Sequence, residues 1–157
     1  MKTARILSLF LVCLWVVPVF AQDTSTKTMD IVRDAAKSNK KALVAVNLKL
    51  TEAEEKGFWP IYDSYQAALD KIQERQLNLI KDYAKEYNAN SLTDEKAKQL
   101  MADYLATEED IVKLKKSYLN KFDGVISGKK AMTYIQLENK IEAIINYEMA
   151  GQIPLVE

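Results

Sequence analysis

The chain has 157 residues, with 22 basic side chains against 22 acidic ones, a single Cys and no His. Without His there is no imidazole base, no Ser-His-Asp or Cys-His couple and no His metal ligand. Four Gly and three Pro are too few for the tight turns of a β-sandwich or barrel, and 48% hydrophobic residues at zero net charge exclude a disordered chain.

Lys2 and Arg5 precede an apolar run from Ile6 to Val17, which Pro18 breaks ahead of Val19-Phe20-Ala21. This pattern predicts a secretory signal peptide over 1–21, cleaved after Ala21. The 16 residues from Ile6 to Ala21 fall short of the roughly 20 needed to span a bilayer. Cys13 is expected to leave with the signal. Loss of Lys2 and Arg5 leaves 20 basic and 22 acidic groups in residues 22–157, and no Cys, so an oxidising compartment costs that chain nothing. The expectation is a periplasmic protein with no stable membrane span.

After a flexible polar lead, 22–28, a single helical domain is expected over 29–157. The first helical pattern runs from Met29 to Asn47, with Met29, Val32, Ala36, Leu43 and Val46 as its apolar positions and Lys37, Lys40 and Lys41 on the other side. The second begins at Thr51-Glu52-Ala53-Glu54, which has capping-box form: the Thr hydroxyl accepts from the Glu54 N–H while the Glu54 carboxylate reaches back. Its stripe reads Phe58, Tyr62, Tyr65, Leu69, Ile72, Gln76, Leu79, Tyr83, alternating steps of four and three like a coiled-coil seam. Pro60 falls inside it and predicts a kink, not a stop, with Gly57 easing the bend.

A turn at Asn88-Ala89-Asn90-Ser91 leads to a third helix starting at Leu92-Thr93-Asp94-Glu95. Its stripe is Leu100, Tyr104, Thr107, Ile111, Leu114, Tyr118 and Phe122, and Leu105, Val112 and Leu119 form a second lane predicted to widen the buried face. Gly124 and Ser127-Gly128 end it. The fourth, from Lys129 to Ala150, is expected to bury Ile135, Ile141, Ile144 and Ile145 with Tyr134 and Met149, stopped by Gly151 and Pro154. Helix two alone would be about 54 Å long, whereas a compact ball of this size is roughly 36 Å across. The fold expected is therefore all-α: an elongated bundle of about four helices around a long antiparallel hairpin, assembling as a homodimer.

Leu50-Thr51-Glu52 and Leu92-Thr93-Asp94 each open a long helix. Paired Leu-Thr helix starts in a short exported helical chain resemble the LTxxQ motifs of the Spy and CpxP family of periplasmic proteins. Phe58-Trp59-Pro60-Ile61-Tyr62, Glu138-Asn139-Lys140-Ile141 and Ile153-Pro154-Leu155-Val156 are similar to segments of exported bacterial proteins of like length. The motif positions are Leu50, Thr51 and Glu54, then Leu92, Thr93 and Lys96; Glu54 and Lys96 stand where the family pattern has Gln. The resemblance implies a periplasmic, ATP-independent, chaperone-like or envelope-stress protein that binds non-native polypeptides. The alternative is a sensor or adaptor docking one envelope partner, with weak metal binding by carboxylates. Phe58, Trp59 and Tyr62 are the candidate partner-contact aromatics.

No catalytic, cofactor or metal residue is assigned and no enzyme activity is expected. Glu138/Glu142 and Glu108-Glu109-Asp110 read as solvated helix faces, since a di-iron bundle needs His. The lysines are balanced by acids, which gives nucleic acid no basic patch.

Overall fold

The computed structural model describes residues 39–156; the predicted signal peptide, the predicted lead and the 29–38 part of the first predicted helix lie outside them. The described residues form four helices and no strand: α1 (39–48), α2 (Glu52–Asn88), α3 (Asp94–Asp123) and α4 (Gly128–Ala150). The fold is an all-α bundle.

Each long helix starts where its side chains satisfy the free backbone N–H groups. At α2 the capping box is complete, with the Thr51 N–H donating to Glu54 Oε2 at 2.8 Å and the Glu54 N–H to Thr51 Oγ1 at 3.4 Å. Thr93 and Ser127 cap α3 and α4 in the same way, accepting from the Lys96 and Lys130 N–H groups. Lys96 has no acceptor to return, so the second Leu-Thr start is a cap without a box. The turn after α2 puts Asn90 in the left-handed region at φ 50°, a conformation Asn tolerates better than most residues.

Pairings along the helices set their directions. Ser64–Tyr118, Arg75–Asp110 and Gln76–Glu108 run oppositely in number, so α2 and α3 are antiparallel. Lys115 reaches Glu142 of α4, and Gln66 reaches Tyr134 and Glu138, which lays α4 beside both. Lys40 and Lys41 meet Gln66 and Asp63, so α1 folds back along the first half of α2. At 37 residues α2 is about 55 Å long, and the molecule is elongated as its helix lengths require.

The helix runs through Pro60 without a stop. Proline removes a hydrogen bond at a cost of about 3 kcal/mol, but Phe58 and Tyr62 on either side are buried in the aromatic core. There Tyr134 packs edge to face on Phe58, Tyr62, Tyr65 and Phe122, with centroids 4.8 Å apart at Phe122. Gly57 serves this packing. A Cβ there would lie 2.9 Å from Val125 Cγ1, so its absence lets the α3–α4 connection close onto α2.

Three predicted stripes need correction. In α1 the buried lane is Lys40, Val44 and Leu48, while Leu43 and Val46 are exposed; Lys40 shares the inner face because it pairs with Glu138 there. In α3 the second lane is open, with Leu105, Val112 and Leu119 at 58%, 50% and 42% exposure. It lies about 100° round the helix from the Ile111 lane, outside the wedge that α2 and α4 cover. In α4 Ile144 is exposed, and Ala131, Tyr134 and Glu138 make the buried lane.

Candidate functional site

The two ends of the bundle are built differently. Where α1, the starts of α2 and α4 and the end of α3 meet, aromatic rings fill the interior. Toward the α2–α3 turn the seam loosens, and Ile72, Gln76, Leu79 and Tyr83 are only half-buried. Along α2 the seam passes from the rings of Phe58, Tyr62 and Tyr65 to Ile72, Gln76 and Leu79, and the space between α2 and α3 is left partly unfilled.

The result is an apolar groove of about 690 Å³ at the turn end. Leu79, Ile80 and Tyr83 of α2 form one wall, and Leu92, Ala97, Leu100, Met101 and Tyr104 the other. The C-terminal segment crosses it: Ile153 is half-buried, and the Tyr83 hydroxyl donates to the Pro154 carbonyl at 2.8 Å. Leu155, at 87% exposure, lines the groove with its surface open to solvent, and Val156 is also exposed. Asp94 and Lys98 stand among the lining residues as one acid and one base.

Alongside it lies a smaller cleft of about 260 Å³ that shares Ile80, Tyr104 and Ile153 with the groove. Its lining adds Gln73, Gln76, Glu108, Glu142 and Asn146 to apolar Leu77, Ile145 and Met149. Burial, followed by the charge of Glu108, raises the Tyr104 hydroxyl above its ordinary pKa.

Lys40 also lines this cleft and belongs to a buried polar cluster. Lys40 Nζ donates to Glu138 Oε2 at 3.0 Å and to Gln66 Oε1 at 3.1 Å, and Gln66 Nε2 donates to Glu138 Oε1 at 2.8 Å and to the Tyr134 hydroxyl at 3.0 Å. Lys40 is 7% exposed and Glu138 2%. Both Glu138 oxygens and the ammonium are engaged, as a buried pair requires. Burial first, with the Glu138 charge second, raises the hydroxyl pKa values of Tyr134, Tyr65 and Tyr62. Glu138 is therefore not on a solvated face as its sequence context suggested, and Glu142 is paired with Lys115 at 2.8 Å.

The other predicted site residues divide between core and caps. Phe58 and Tyr62 are buried, which closes them to partners in this fold, and Trp59 is half-buried with the Lys41 ammonium 5.1 Å from its ring. Leu50 packs on the core and Leu92 lines the groove. Thr51, Glu54, Thr93 and Lys96 build helix starts, and Glu54 also accepts from Lys130 Nζ at 2.6 Å. Sequence reasoning missed Lys40, Gln66 and Glu138 as a unit, because each sits singly among unremarkable polar positions. It quoted Ile153-Pro154-Leu155-Val156 without seeing that this segment crosses a groove.

Among the described residues no group of three or more His, Cys, Asp or Glu could hold a metal ion, and no helix is long and apolar enough to cross a membrane. No family model, curated protein or solved structure matches this chain.

Proposed function

We propose that this is a non-enzymatic, ATP-independent polypeptide-binding protein of the periplasm, chaperone-like in the manner of the Spy and CpxP family that its Leu-Thr helix starts resemble. The observation that carries this reading is the groove at the hairpin turn, walled by Leu79, Leu92, Leu100 and Met101 and edged by exposed Leu155. An open apolar groove of this kind takes short apolar stretches of another chain, and its few polar groups impose little sequence preference. Reversible contact through such a surface needs no nucleotide.

The test is light scattering of a denatured client diluted into the purified protein without ATP. Suppressed aggregation at stoichiometric ratio is expected, and Leu155→Glu weakens it several-fold while leaving helicity unchanged, since Leu155 is outside the core. Unchanged aggregation of every client tried would exclude the chaperone activity.

A further inference from the structure

We infer that the cleft beside the groove is a binding site for an aliphatic chain ending in an ammonium group, with the chain on Leu77, Ile145 and Met149 and the charge on Glu108. The lining of this cleft comes from α2, α3 and α4, and Ile153 of the C-terminal segment stands where it adjoins the groove. An apolar pocket between helices with a few convergent polar groups is the usual form of a small-ligand site.

Charge selects the ligand. Lys40, Glu108 and Glu142 are the charged residues of the lining. Lys40 is committed to Glu138 at 3.0 Å, and Glu142 to Lys115 at 2.8 Å. Each of those pairs is neutral, so the negative charge of Glu108 is left over. Among the described residues Glu108 forms no ion pair, and the hydrogen bond it accepts comes from the neutral amide of Gln76. The Tyr104 hydroxyl, raised first by burial and then by the Glu108 charge, shows that this carboxylate's field reaches the cleft. A carboxylate without a cation, set beside an apolar surface, attracts a cation and repels an anion.

Size and polar groups fit the same ligand. At about 260 Å³ the cleft holds roughly nine non-hydrogen atoms if each takes the ~30 Å³ of a water molecule. A short alkylamine or the side chain of a lysine fits in that space. Gln73 is half-buried and Asn146 exposed, and neither bonds another group among the described residues. An ammonium has three protons to donate, and these two amide oxygens are acceptors for those that Glu108 does not take. The ammonium has two sources: a free aliphatic amine, or a lysine of a polypeptide lying in the adjoining groove.

The experiment reads binding from amide NMR shifts of the purified protein titrated with hexylammonium, hexanol, hexanoate and methylammonium. Hexylammonium is expected to bind roughly fivefold tighter than hexanol, the size of a partly exposed ion pair. Hexanoate should bind more weakly than hexanol, and methylammonium, with no chain to bury, more weakly than hexylammonium. Glu108→Gln brings hexylammonium down to the level of hexanol. Glu109→Gln, the same loss of charge on a solvent-facing neighbour, leaves the preference intact. A second arm compares two apolar peptides that differ only in lysine against norleucine. A lysine peptide that binds tighter and displaces hexylammonium identifies the source as a polypeptide. Peptides that bind alike, or not at all, while hexylammonium binds identify it as a free amine. Hexylammonium no tighter than hexanol, or a preference that survives Glu108→Gln, overturns the proposal. Leu155 is outside the cleft, so failure of the groove reading and failure of this one separate cleanly.

Discussion

Lys40 and Glu138, 98 residues apart in the chain, form a 3.0 Å ion pair that is almost wholly withdrawn from solvent. It ties α1 to α4 across Gln66 of α2, so three helices share one polar knot beside the aromatic core. Breaking one side is costly because the other charge is then buried alone. Lys40→Met is expected to destabilise the protein by about 3–5 kcal/mol, and Lys40→Met with Glu138→Leu to recover most of that loss. Urea unfolding of the single and double variants checks it; additive losses would deny the coupling.

Glu54 predicts the behaviour in acid. The Lys130 ammonium first, and the Thr51 backbone N–H next, hold its carboxyl down from 4.5 to about 2. A folded-state pKa below the unfolded value contributes stability that is fully present above pH 4.5 and is lost as pH falls toward 2. Glu54→Gln should therefore be less stable than the natural protein at pH 6, with the gap closing through that window. A gap that persists unchanged at pH 2 would place the effect elsewhere.

Gly57 and Val125 make a steric prediction. Replacing Gly by Ala inside a helix normally gains about 1 kcal/mol, but here the added Cβ meets Val125 at 2.9 Å, and overpacking of this kind costs about 1–3 kcal/mol. Gly57→Ala should destabilise the natural protein yet stabilise the Val125→Ala background. A double-mutant cycle by thermal unfolding reads the change of sign.

Tyr65 has a buried hydroxyl without a hydrogen-bond partner among the described residues. Removing an unsatisfied buried oxygen relieves a desolvation cost, so Tyr65→Phe should raise stability by about 1 kcal/mol, whereas Tyr134→Phe, which strips a bond from Gln66, should lower it. Burial raises both hydroxyl pKa values. The stability this represents is present below the ordinary tyrosine pKa of 10 and is lost as pH rises above it. Tyrosinate absorbance should therefore appear together with unfolding in alkali. Titration of all tyrosines before any loss of helicity would contradict the burial.

Much of the fold was legible because helices announce themselves locally. Thr51, Thr93 and Ser127 are caps by side-chain chemistry alone, and Phe58, Tyr62, Tyr65 and Leu69 mark a buried face by spacing. The groove was not legible in the same way. It arises where half-buried Leu79 and Tyr83 of α2 face Leu100 and Met101 of α3 without filling the space between them, and that depends on how these two helices and the C-terminal segment meet.

The helical class, the starts and stops of the long helices, the passage of α2 through Pro60 and the elongated shape are all written locally in the residues. Each follows from hydrogen bonds within a few residues or from a periodic pattern along one helix. Only the packing of the helices turns Lys40 and Glu138 inward, sets Gly57 against Val125 and leaves Leu105, Val112 and Leu119 outside. An amphipathic stripe shows which side of a helix is apolar, but how much of that side is covered depends on the number and angle of its neighbours. A charge is held inside only where its opposite arrives from a distant part of the chain.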